Sequence, residues 1–384
     1  MKISFFTTYK KNDVGIYNYS DHMLHAIQDE SSDISFNIVG LTDKDEPKKI
    51  HIFKRKAYFQ SLGREMNKGV IAHIQHEYSL FGIWTNPFIN MFKPFFLSIN
   101  VPVILTAHEI EERKKSRVFW KNIIKMIYYP LFSKYLYYVH TGMFLSASHV
   151  IVHTNAAKNL LCKRGVSEDK ISVIHHGIST VVASSLNVEE AKAKFGLEGK
   201  YVITTFGYIT YRKGVDLLLQ ILAKLPENVV YLIAGSAPEE AEQRLYFKSL
   251  ESLILAKNLA SRVRITGFVP PEQVKDIMRA TDIYLYPSRQ ITASAAVSEG
   301  IAYHMQILAS ALPFILEMNE EQLCVETFKP SDENDLFCKI MQLMQNPNYA
   351  EALIKGTYSY QKANSYKIAA QKTIALYKKI NAIA

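Results

Sequence analysis

Short runs of apolar, often β-branched residues alternate along the first half of the chain with longer stretches of helical spacing. The runs KISFF, FNIVGL, VIAHIQH, PVILTAH, HVIVHT and ISVIHHG have the length of strands, and YNYSDHMLHAIQDE is compatible with a helix. Strands that are apolar along their whole length and are separated by helices are typical of parallel sheets covered on both faces. The first half of the chain therefore predicts a doubly wound α/β domain.

The same alternation starts again after a polar stretch, STVVASSLNVEEAKAKFGLEGK, that follows Gly177. Five further runs have the character of strands: YVITTFGY, NVVYLIAG, RVRITGF, DIYLYPS and MQILAS. Between them, GVDLLLQILAKL, PEEAEQRLYFKSLESLILAKNL and PEQVKDIMRAT have helical spacing. Because 384 residues are more than one ordinary core holds, the two series predict two domains that meet near residue 180. In such domains ligands bind beyond the carboxyl ends of the strands.

No stretch of the chain reaches the roughly 18 uninterrupted apolar residues that a membrane-spanning helix needs. An apolar fraction of 48% with 21% charged residues is that of a soluble globular protein. The three cysteines stand far apart and include no CxxC pair, which fits a reducing cytoplasm. The N-terminus reads as a first strand and not as a signal peptide. We therefore expect a cytoplasmic protein that is not integral to a membrane.

The positive charge of the chain is concentrated in its first half. Residues 1–180 contain 23 Lys and Arg against 15 Asp and Glu, which accounts for +8 of the net charge of +9. Basic residues alternate with aromatic and aliphatic ones in EERKKSRVFWKNIIKMIYYPLFSK. This pattern suits a solvated helix face or an amphipathic patch on anionic lipid headgroups. No nucleic-acid-binding motif accompanies the charge, so nucleic acid is not expected, and we favour a peripheral position at an anionic membrane surface.

Five motifs follow one another along the chain: HIQHEYSLFG, VPVILTAHE, ASHVIVHTNAAKNLLCKRGVSEDKISVIHHGIS, FGYITYRKGVDLLLQIL and VRITGFVPPEQVKDIMRATDIYLYPS. In this order they resemble retaining GT-B glycosyltransferases, and more narrowly family 4, whose bacterial members transfer mannose, glucose or N-acetylhexosamine to lipid and polysaccharide acceptors. The resemblance implies two Rossmann-like domains that face across a cleft. It also implies that the final helix, AAQKTIALYKKINAI, crosses back to the N-terminal domain. The expected domains are residues 1–180 with 363–384, which bind the acceptor, and residues 181–362, which bind the nucleotide sugar.

Three residues at two places in the chain are candidates for binding the diphosphate of a nucleotide sugar. Arg212 and Lys213 precede Gly214 at a predicted helix start, where two cations stand beside helix N–H donors. The resemblance implies that this basic pair binds the donor diphosphate and acts in catalysis. Gly15 lies between the first strand and the first helix, where a glycine lets backbone N–H groups approach a phosphate closely. The alternatives are a solvated basic pair and a simple turn glycine.

The segment YPSRQITASAAVSEGIAYHMQILAS corresponds to the donor loop of the family. Its members have two Glu residues separated by seven others, and the second, matched by Glu299, binds the ribose hydroxyls. Ile291 stands where the first Glu is expected, and His304, Met305 and Gln306 replace a Gly-x-Pro turn. The loop resembles that of a subgroup with a Thr-Gln-Ser-Gly stretch, which also lacks the first acid. Thr292 and Ser294 are therefore expected to contact the donor phosphates, and Ala295 replaces the glycine.

Histidines supply the remaining candidates. His108 ends the strand PVILTAH and resembles the family histidine that faces the transferred sugar, where it can hydrogen-bond a hydroxyl. His76 and Glu77 follow an earlier strand and are expected on the acceptor side. A histidine in an apolar setting is also commonly a packed core residue. Neither HExxH nor a cysteine partner is present, so no metal and no other cofactor are expected.

These observations leave three hypotheses. The first is a retaining transferase that moves a hexosyl unit from a UDP- or GDP-sugar to a hydroxyl of a glycan or lipid-linked acceptor, in cell-surface glycan synthesis. The second is a catalytically silent GT-B subunit that binds a partner transferase or a glycan, and it rests on the departures in the donor loop. The third, a GT-B epimerase, has less support because the basic patch suggests an external acceptor.

Overall fold

The computed structural model describes residues 1–8, 14–41, 50–81, 90–108, 110, 123–237, 241–290 and 295–383. The chain divides into two compact units. The first unit comprises Met1–Gly177 and Tyr366–Ala384, and the second comprises Ile178–Ser365. Both boundaries lie within a few residues of the positions that the sequence indicates.

The first unit contains a six-stranded parallel sheet in the order β2-β1-β3-β4-β5-β6. Its strands are β1 (Lys2–Thr8), β2 (Ser35–Leu41), β3 (Ile71–His76), β4 (Val103–Ala107), β5 (His149–Val152) and β6 (Ile171–Val173). The helices that connect them are α1 (Val14–Glu30), α2 (Ile52–Glu65), α3 (Phe92–Phe96), α4 (Ile123–Ser146) and α5 (Asn155–Lys163). The central strand β3 is buried along its whole length, as its apolar composition predicts.

The second unit repeats this architecture, with a parallel sheet in the order β12-β11-β10-β7-β8-β9. Its strands are β7 (Tyr201–Phe206), β8 (Val229–Ala234), β9 (Val263–Ile265), β10 (Ile283–Tyr286), β11 (Ile307–Ser310) and β12 (Glu326–Phe328). Its helices are α6 (Val188–Lys194), α7 (Asp216–Ile221), α8 (Ala241–Ala256), α9 (Pro271–Ala280), α10 (Ala295–Ala302), α11 (Pro313–Glu321), α12 (Glu333–Gln345) and α13 (Pro347–Ala363). The predicted fold class of two Rossmann-like domains is confirmed.

The last helix, α14 (Tyr366–Ile383), belongs to the first unit although it follows the second in the chain. Its apolar face packs with α1 in a core that includes Ile27 and the fully buried Tyr377. The Tyr377 hydroxyl also contacts Nδ1 of His73 on β3. The C-terminal helix is thus fixed to the sheet of the first unit by apolar packing and by a buried polar contact. Among the described helices, none is long and apolar enough to cross a membrane.

Each sheet has one point at which the chain reverses its direction of strand addition. In the first unit this point lies between β1 and β3, and in the second between β7 and β10. The helices that follow two such strands lie on opposite faces of the sheet, which leaves a crevice at the carboxyl ends of the strands. The segments that follow β7 and β10 therefore define the edge where a ligand of the second unit is expected.

Candidate functional site

The segments that follow β7 and β10 are tied together by their backbones. The Arg289 N–H donates to the Arg212 carbonyl at 2.8 Å, and the Ser288 hydroxyl donates to the same oxygen at 3.1 Å. Gly214 has a φ of 67°, and a Cβ there would lie 2.1 Å from the Pro287 carbonyl oxygen. Only glycine combines this left-handed backbone with so close an approach. Gly214 therefore permits the contact between the two segments.

The basic pair lies in a single 3-10 turn, Tyr211–Lys213, and not at the start of helix α7 as predicted. Helix α7 begins at Asp216, which places an acidic side chain in its first turn. The Arg212 side chain is exposed, whereas Lys213 is half-buried with its ammonium 5.0 Å from the centroid of the Tyr286 ring. The two cations nevertheless lie just beyond the end of β7, as the sequence indicates.

The environment of Lys213 disfavours its positive charge. Burial, and to a lesser degree the Arg212 guanidinium, lowers the pKa of the Lys213 ammonium to about 8. No carboxylate of the described residues pairs with either Arg212 or Lys213. A desolvated cation without a counterion can bind an anion, and the pair is therefore suited to a phosphate group.

Glu299 lies on helix α10, as predicted, and its side chain is half-buried. Burial raises the pKa of the Glu299 carboxyl. Within the described part of the chain the carboxylate accepts no hydrogen bond and forms no ion pair. Helix α10 follows β10, the neighbour of β7, so Glu299 and Lys213 belong to adjacent connections of one sheet. The other predicted donor residues, Thr292 and Ser294, and the departure at Ile291 lie outside the described residues; Ala295 begins α10.

The turn at His304, where the family has Gly-x-Pro, adopts a left-handed backbone conformation. His304 has a φ of 54°, in the left-handed region that side chains disfavour. The His304 N–H donates to the Ile301 carbonyl, and the Met305 N–H donates to the Gly300 carbonyl, which closes the end of α10. The His304 ring stacks on Tyr358 at 3.4 Å between centroids. The end of α10 is thus closed by a residue in the left-handed region whose ring stacks on Tyr358.

In the first unit, Gly15 lies in the first turn of α1 and not before the helix, which corrects its predicted position. The residue is exposed, and among the described residues outside its own helix backbone and chain neighbours no atom lies within 4 Å of where its Cβ would be. An exposed backbone in the first turn of α1 is compatible with a ligand that approaches it closely. Its contact with a phosphate stays a prediction.

His108 follows β4 directly, as predicted, but its ring nitrogens already have neighbours. Nε2 lies 2.8 Å from the Gln75 amide oxygen, and Nδ1 lies 3.3 Å from Nε2 of His153. The ring also packs edge-on against Tyr19, with 4.7 Å between centroids. Burial, followed by the nearby His153 and His176, lowers the pKa of the His108 imidazole well below its usual value. His108 is therefore neutral at pH 7, and its contact with a sugar stays a prediction.

The prediction that His76 contacts an acceptor is not supported by its position. Its side chain is fully buried, and its Nε2 lies 3.0 Å from Nδ1 of His140. Its ring packs against Phe92 and Phe144. His76 is therefore a core residue at the end of β3, whereas the half-buried Glu77 beside it keeps its predicted role as a candidate.

Several residues near the candidate site were not expected from the sequence. Asp216, Tyr246 and Arg289 form a polar cluster beside the basic pair. Asp216 has a visible signal, because an acid at a helix start follows the two cations. The ion pair between Asp216 and Arg289, in contrast, has no signal in the sequence. Among the described residues, no three His, Cys, Asp or Glu side chains are grouped closely enough to hold a metal ion.

Two family descriptions match consecutive parts of the chain. Residues 46–182 match glycosyltransferase family 4, and residues 187–360 match glycosyl transferases group 1. The curated relatives include the GPI3 subunit of phosphatidylinositol N-acetylglucosaminyltransferase from Saccharomyces cerevisiae. It is 24% identical over 239 residues, which are 60% of this chain. The match spans half the length of that relative.

Solved structures show the same arrangement of strands and helices. HepE of Anabaena, solved with UDP, has a TM-score of 0.75 at 15% identity over 99% of this chain and all of its own. Sucrose-phosphate synthase of Thermosynechococcus elongatus has a TM-score of 0.76 at 16% identity, with complete coverage of both chains. With both sheets, both family matches and these structural neighbours in agreement, the chain belongs to the glycosyltransferases related to family 4 and has the GT-B fold.

Proposed function

We propose that this protein transfers a hexosyl unit from a UDP- or GDP-sugar to a hydroxyl of a glycan or lipid-linked acceptor, with retention of configuration, in cell-surface glycan synthesis. The observation that carries the proposal is a set of three charged side chains in the second unit, Arg212, Lys213 and Glu299. No described residue supplies an opposite charge to any of them. Two cations and one carboxylate match the diphosphate and the ribose of a nucleotide sugar.

The two cations act on the leaving group. When the bond between the sugar and the diphosphate breaks, negative charge grows on the phosphate oxygen that leaves. Fixed positive charge nearby lowers the barrier because it interacts more strongly with this oxygen than with the intact donor. Lys213 is half-buried, so its ammonium interacts with a phosphate more strongly than an exposed lysine does. Arg212 adds a planar guanidinium that can bind two oxygens at once.

The carboxylate acts on the nucleoside. Glu299 can accept hydrogen bonds from two adjacent ribose hydroxyls, and charge-assisted bonds of this kind are about twice as strong as neutral ones. Burial raises the free energy of the unpaired carboxylate, so hydroxyl donors stabilise it on binding. This role belongs to recognition, and no step of bond breaking depends on it.

Retention follows if the acceptor hydroxyl attacks from the face that the diphosphate leaves. The new glycosidic bond forms as the bond to the diphosphate breaks, and the acceptor proton passes to the leaving phosphate oxygen. The reaction then requires no carboxylate as a base. The presence of Ile291, where many relatives have a Glu, is compatible with this mechanism.

Relatives support particular substrates. HepE of Anabaena has been solved with UDP and with UDP-glucose, which supports a uridine nucleotide as the first donor to test. The yeast relative is named for N-acetylglucosaminyl transfer to phosphatidylinositol, which supports a lipid-linked acceptor. The basic segment EERKKSRVFWKNIIK, residues 111–125, lies almost entirely outside the described residues, and its proposed place at the inner face of an anionic membrane rests on its composition. Donor binding is proposed to need no metal.

The silent subunit remains a second candidate because of two observations. The donor loop lacks the first acid and a glycine, at Ile291 and Ala295, and the yeast relative is itself named as a subunit. Such a protein would bind a partner transferase or a glycan without turnover.

Release of free nucleoside diphosphate separates the two candidates. The protein is incubated with each of a panel of UDP- and GDP-sugars, with and without membrane extract as acceptor. We expect one donor to give release that the extract accelerates, and Lys213→Ala to abolish most of it. Absence of release with every donor, together with absence of binding, would leave only the silent subunit.

A further inference from the structure

Arg289 and Asp216 form a bidentate ion pair beside the basic turn. Nη1 of Arg289 lies 2.9 Å from Oδ1 of Asp216, and Nη2 lies 2.6 Å from Oδ2. The side chains retain only 16% and 23% of their exposure. A pair with both charges mostly withdrawn from water and two parallel hydrogen bonds has a fixed geometry, unlike an exposed lysine pair.

The Arg289 guanidinium also holds the backbone that carries the cations. Nη1 donates to the Tyr211 carbonyl at 2.7 Å, and the guanidinium lies 4.4 Å from the centroid of the Tyr211 ring. The Arg289 N–H donates to the carbonyl of Arg212. The turn is thus held at its first residue by the side chain of Arg289 and at its second by the backbone of Arg289.

Asp216 is held from its other side by α8. The Tyr246 hydroxyl donates to Oδ1 of Asp216 at 2.5 Å. Burial alone would raise the pKa of the Asp216 carboxyl, but the hydrogen bonds from Arg289 and Tyr246 keep that pKa below its usual value. The carboxylate is therefore ionised at neutral pH and available to orient Arg289.

We infer that Arg289 and Asp216 are positioning residues, which fix the turn that carries Arg212 and Lys213 against the segment after β10 so that both cations meet the donor diphosphate. Neither residue needs to touch the donor, because the guanidinium and the carboxylate are occupied by each other. The inference rests on the proposed function for the identity of the ligand. It adds that the segments after β7 and β10 are fixed to each other and bind the donor together.

Two substitutions test the pair, and a third serves as a matched control. Asp216→Asn removes the charge that orients Arg289, and Arg289→Lys keeps a cation but loses the two-pronged contact. Asp276→Asn is the control, because Asp276 is also a buried acid of the second unit, bonded to Lys194 and Ser184. Thermal unfolding of each variant establishes that it folds, and Arg289→Lys is the milder change if Asp216→Asn does not.

The first readout is hydrogen exchange and needs no ligand. The amides of Lys213, Gly214 and Arg289 donate within the turn or across the two segments. We expect their exchange to accelerate at least about tenfold in Asp216→Asn and Arg289→Lys, with the rest of the second unit unchanged, and to keep the wild-type rate in Asp276→Asn. Wild-type exchange rates in both test variants would overturn the inference.

The second readout is calorimetric titration with UDP, GDP and the corresponding nucleosides. We expect both test variants to bind the preferred diphosphate about tenfold more weakly, with nucleoside affinity changed less than about twofold. Faster exchange with unchanged diphosphate affinity would overturn the inference and leave the proposed function intact. If the wild type binds neither diphosphate, the donor assignment fails, and the exchange rates alone decide whether the pair positions the turn.

Discussion

The Lys213 ammonium lies over the Tyr286 ring, 5.0 Å from its centroid, and no carboxylate of the described residues pairs with it. The aromatic face offers a weak attraction that stabilises the cation only partly. Burial is the larger effect, and it lowers the pKa of this ammonium to about 8. A lysine with this pKa changes its charge within the pH range in which enzymes are commonly assayed. Its role in binding can therefore be tested by varying the pH.

Diphosphate affinity should therefore depend on pH. Lys213 carries its proton below about pH 8 and loses it above. If the bound diphosphate requires the charged form, the association constant falls as pH rises past 8, by up to about tenfold per pH unit for one linked proton. Calorimetric titration of UDP and GDP between pH 6.5 and 9.5 measures this. In Lys213→Arg, whose cation does not titrate there, the fall should vanish. The same fall in both proteins would show that another group is responsible.

A side chain at Gly214 should lower the free energy of unfolding. Its Cβ would lie 2.1 Å from the Pro287 carbonyl oxygen, and its φ is 67°. Gly196 makes a matched control, because its φ is 65° and no atom of the described residues beyond its chain neighbours lies within 4 Å of its Cβ position. We expect Gly196→Ala to cost about 1 kcal/mol for the backbone alone. Gly214→Ala should cost about 1–3 kcal/mol more and weaken diphosphate binding. Equal free energies of unfolding for the two variants would contradict the close approach.

Eleven of the twelve described strands were predictable from the sequence because the sheets are covered on both faces, whereas the three-residue edge strand β12 was not predicted. Continuous apolar runs such as VVYLIA at β8 have few alternatives when they recur between helices. For the same reason the sequence did not indicate that the side chain of His76 is buried in the core. Where both faces of a strand are buried, alternation does not tell whether a histidine at the strand end enters the core or a site.

The arrangement of the site was only partly predictable. Arg212 and Lys213 were selected as candidates from their position before Gly214 together with a family resemblance, and Glu299 was selected from the resemblance. The contact between Asp216 and Arg289 joins residues 73 positions apart and depends on strand order, which local pattern does not contain. The left-handed turn at His304 also escapes the sequence, because it exists only through tertiary closure and the stack on Tyr358.

The first unit should lose stability on acidification before the second. Burial lowers the pKa of several of its histidines to about 3 or 4, namely His73, His76, His149, His153 and His176. In the unfolded chain these side chains take up protons near pH 6.5, whereas in the folded unit they stay neutral. Each therefore removes about 1.4 kcal/mol of stability per pH unit between pH 6.5 and its folded pKa. The second unit contains one histidine, His304, whose pKa burial also lowers, so this source of acid sensitivity is much smaller there.

Pulse proteolysis in urea at pH 7.5, 6.5 and 5.5, with fragments identified by mass, follows the two units separately. We expect the midpoint of the first unit to fall more steeply below pH 6.5. His149→Gln should reduce the slope by about one proton, because the replacement does not titrate. Parallel loss of stability in both units would show that the buried histidines do not govern the acid response.

The basic segment of residues 111–125 should bind anionic vesicles. Its attraction to acidic headgroups is electrostatic, so binding should weaken as salt rises from 0.05 to about 0.5 M. Cosedimentation with vesicles of anionic and of neutral lipid measures the preference, and a variant with neutral residues at 113–117 is the control. Equal binding to both kinds of vesicle would assign the basic segment another purpose.

Calorimetric titration of the wild type and of Lys213→Ala tests the donor assignment most directly. Each protein is titrated with UDP, GDP, uridine and guanosine at pH 7, where Lys213 is charged. We expect the wild type to bind one diphosphate more tightly than its nucleoside. Charge-assisted contacts contribute about 1.5–3 kcal/mol, so Lys213→Ala should lose about tenfold to a hundredfold in diphosphate affinity and almost nothing in nucleoside affinity. Equal losses for diphosphate and nucleoside, or no binding of any of the four by the wild type, would contradict a nucleotide-sugar site built on Arg212, Lys213 and Glu299.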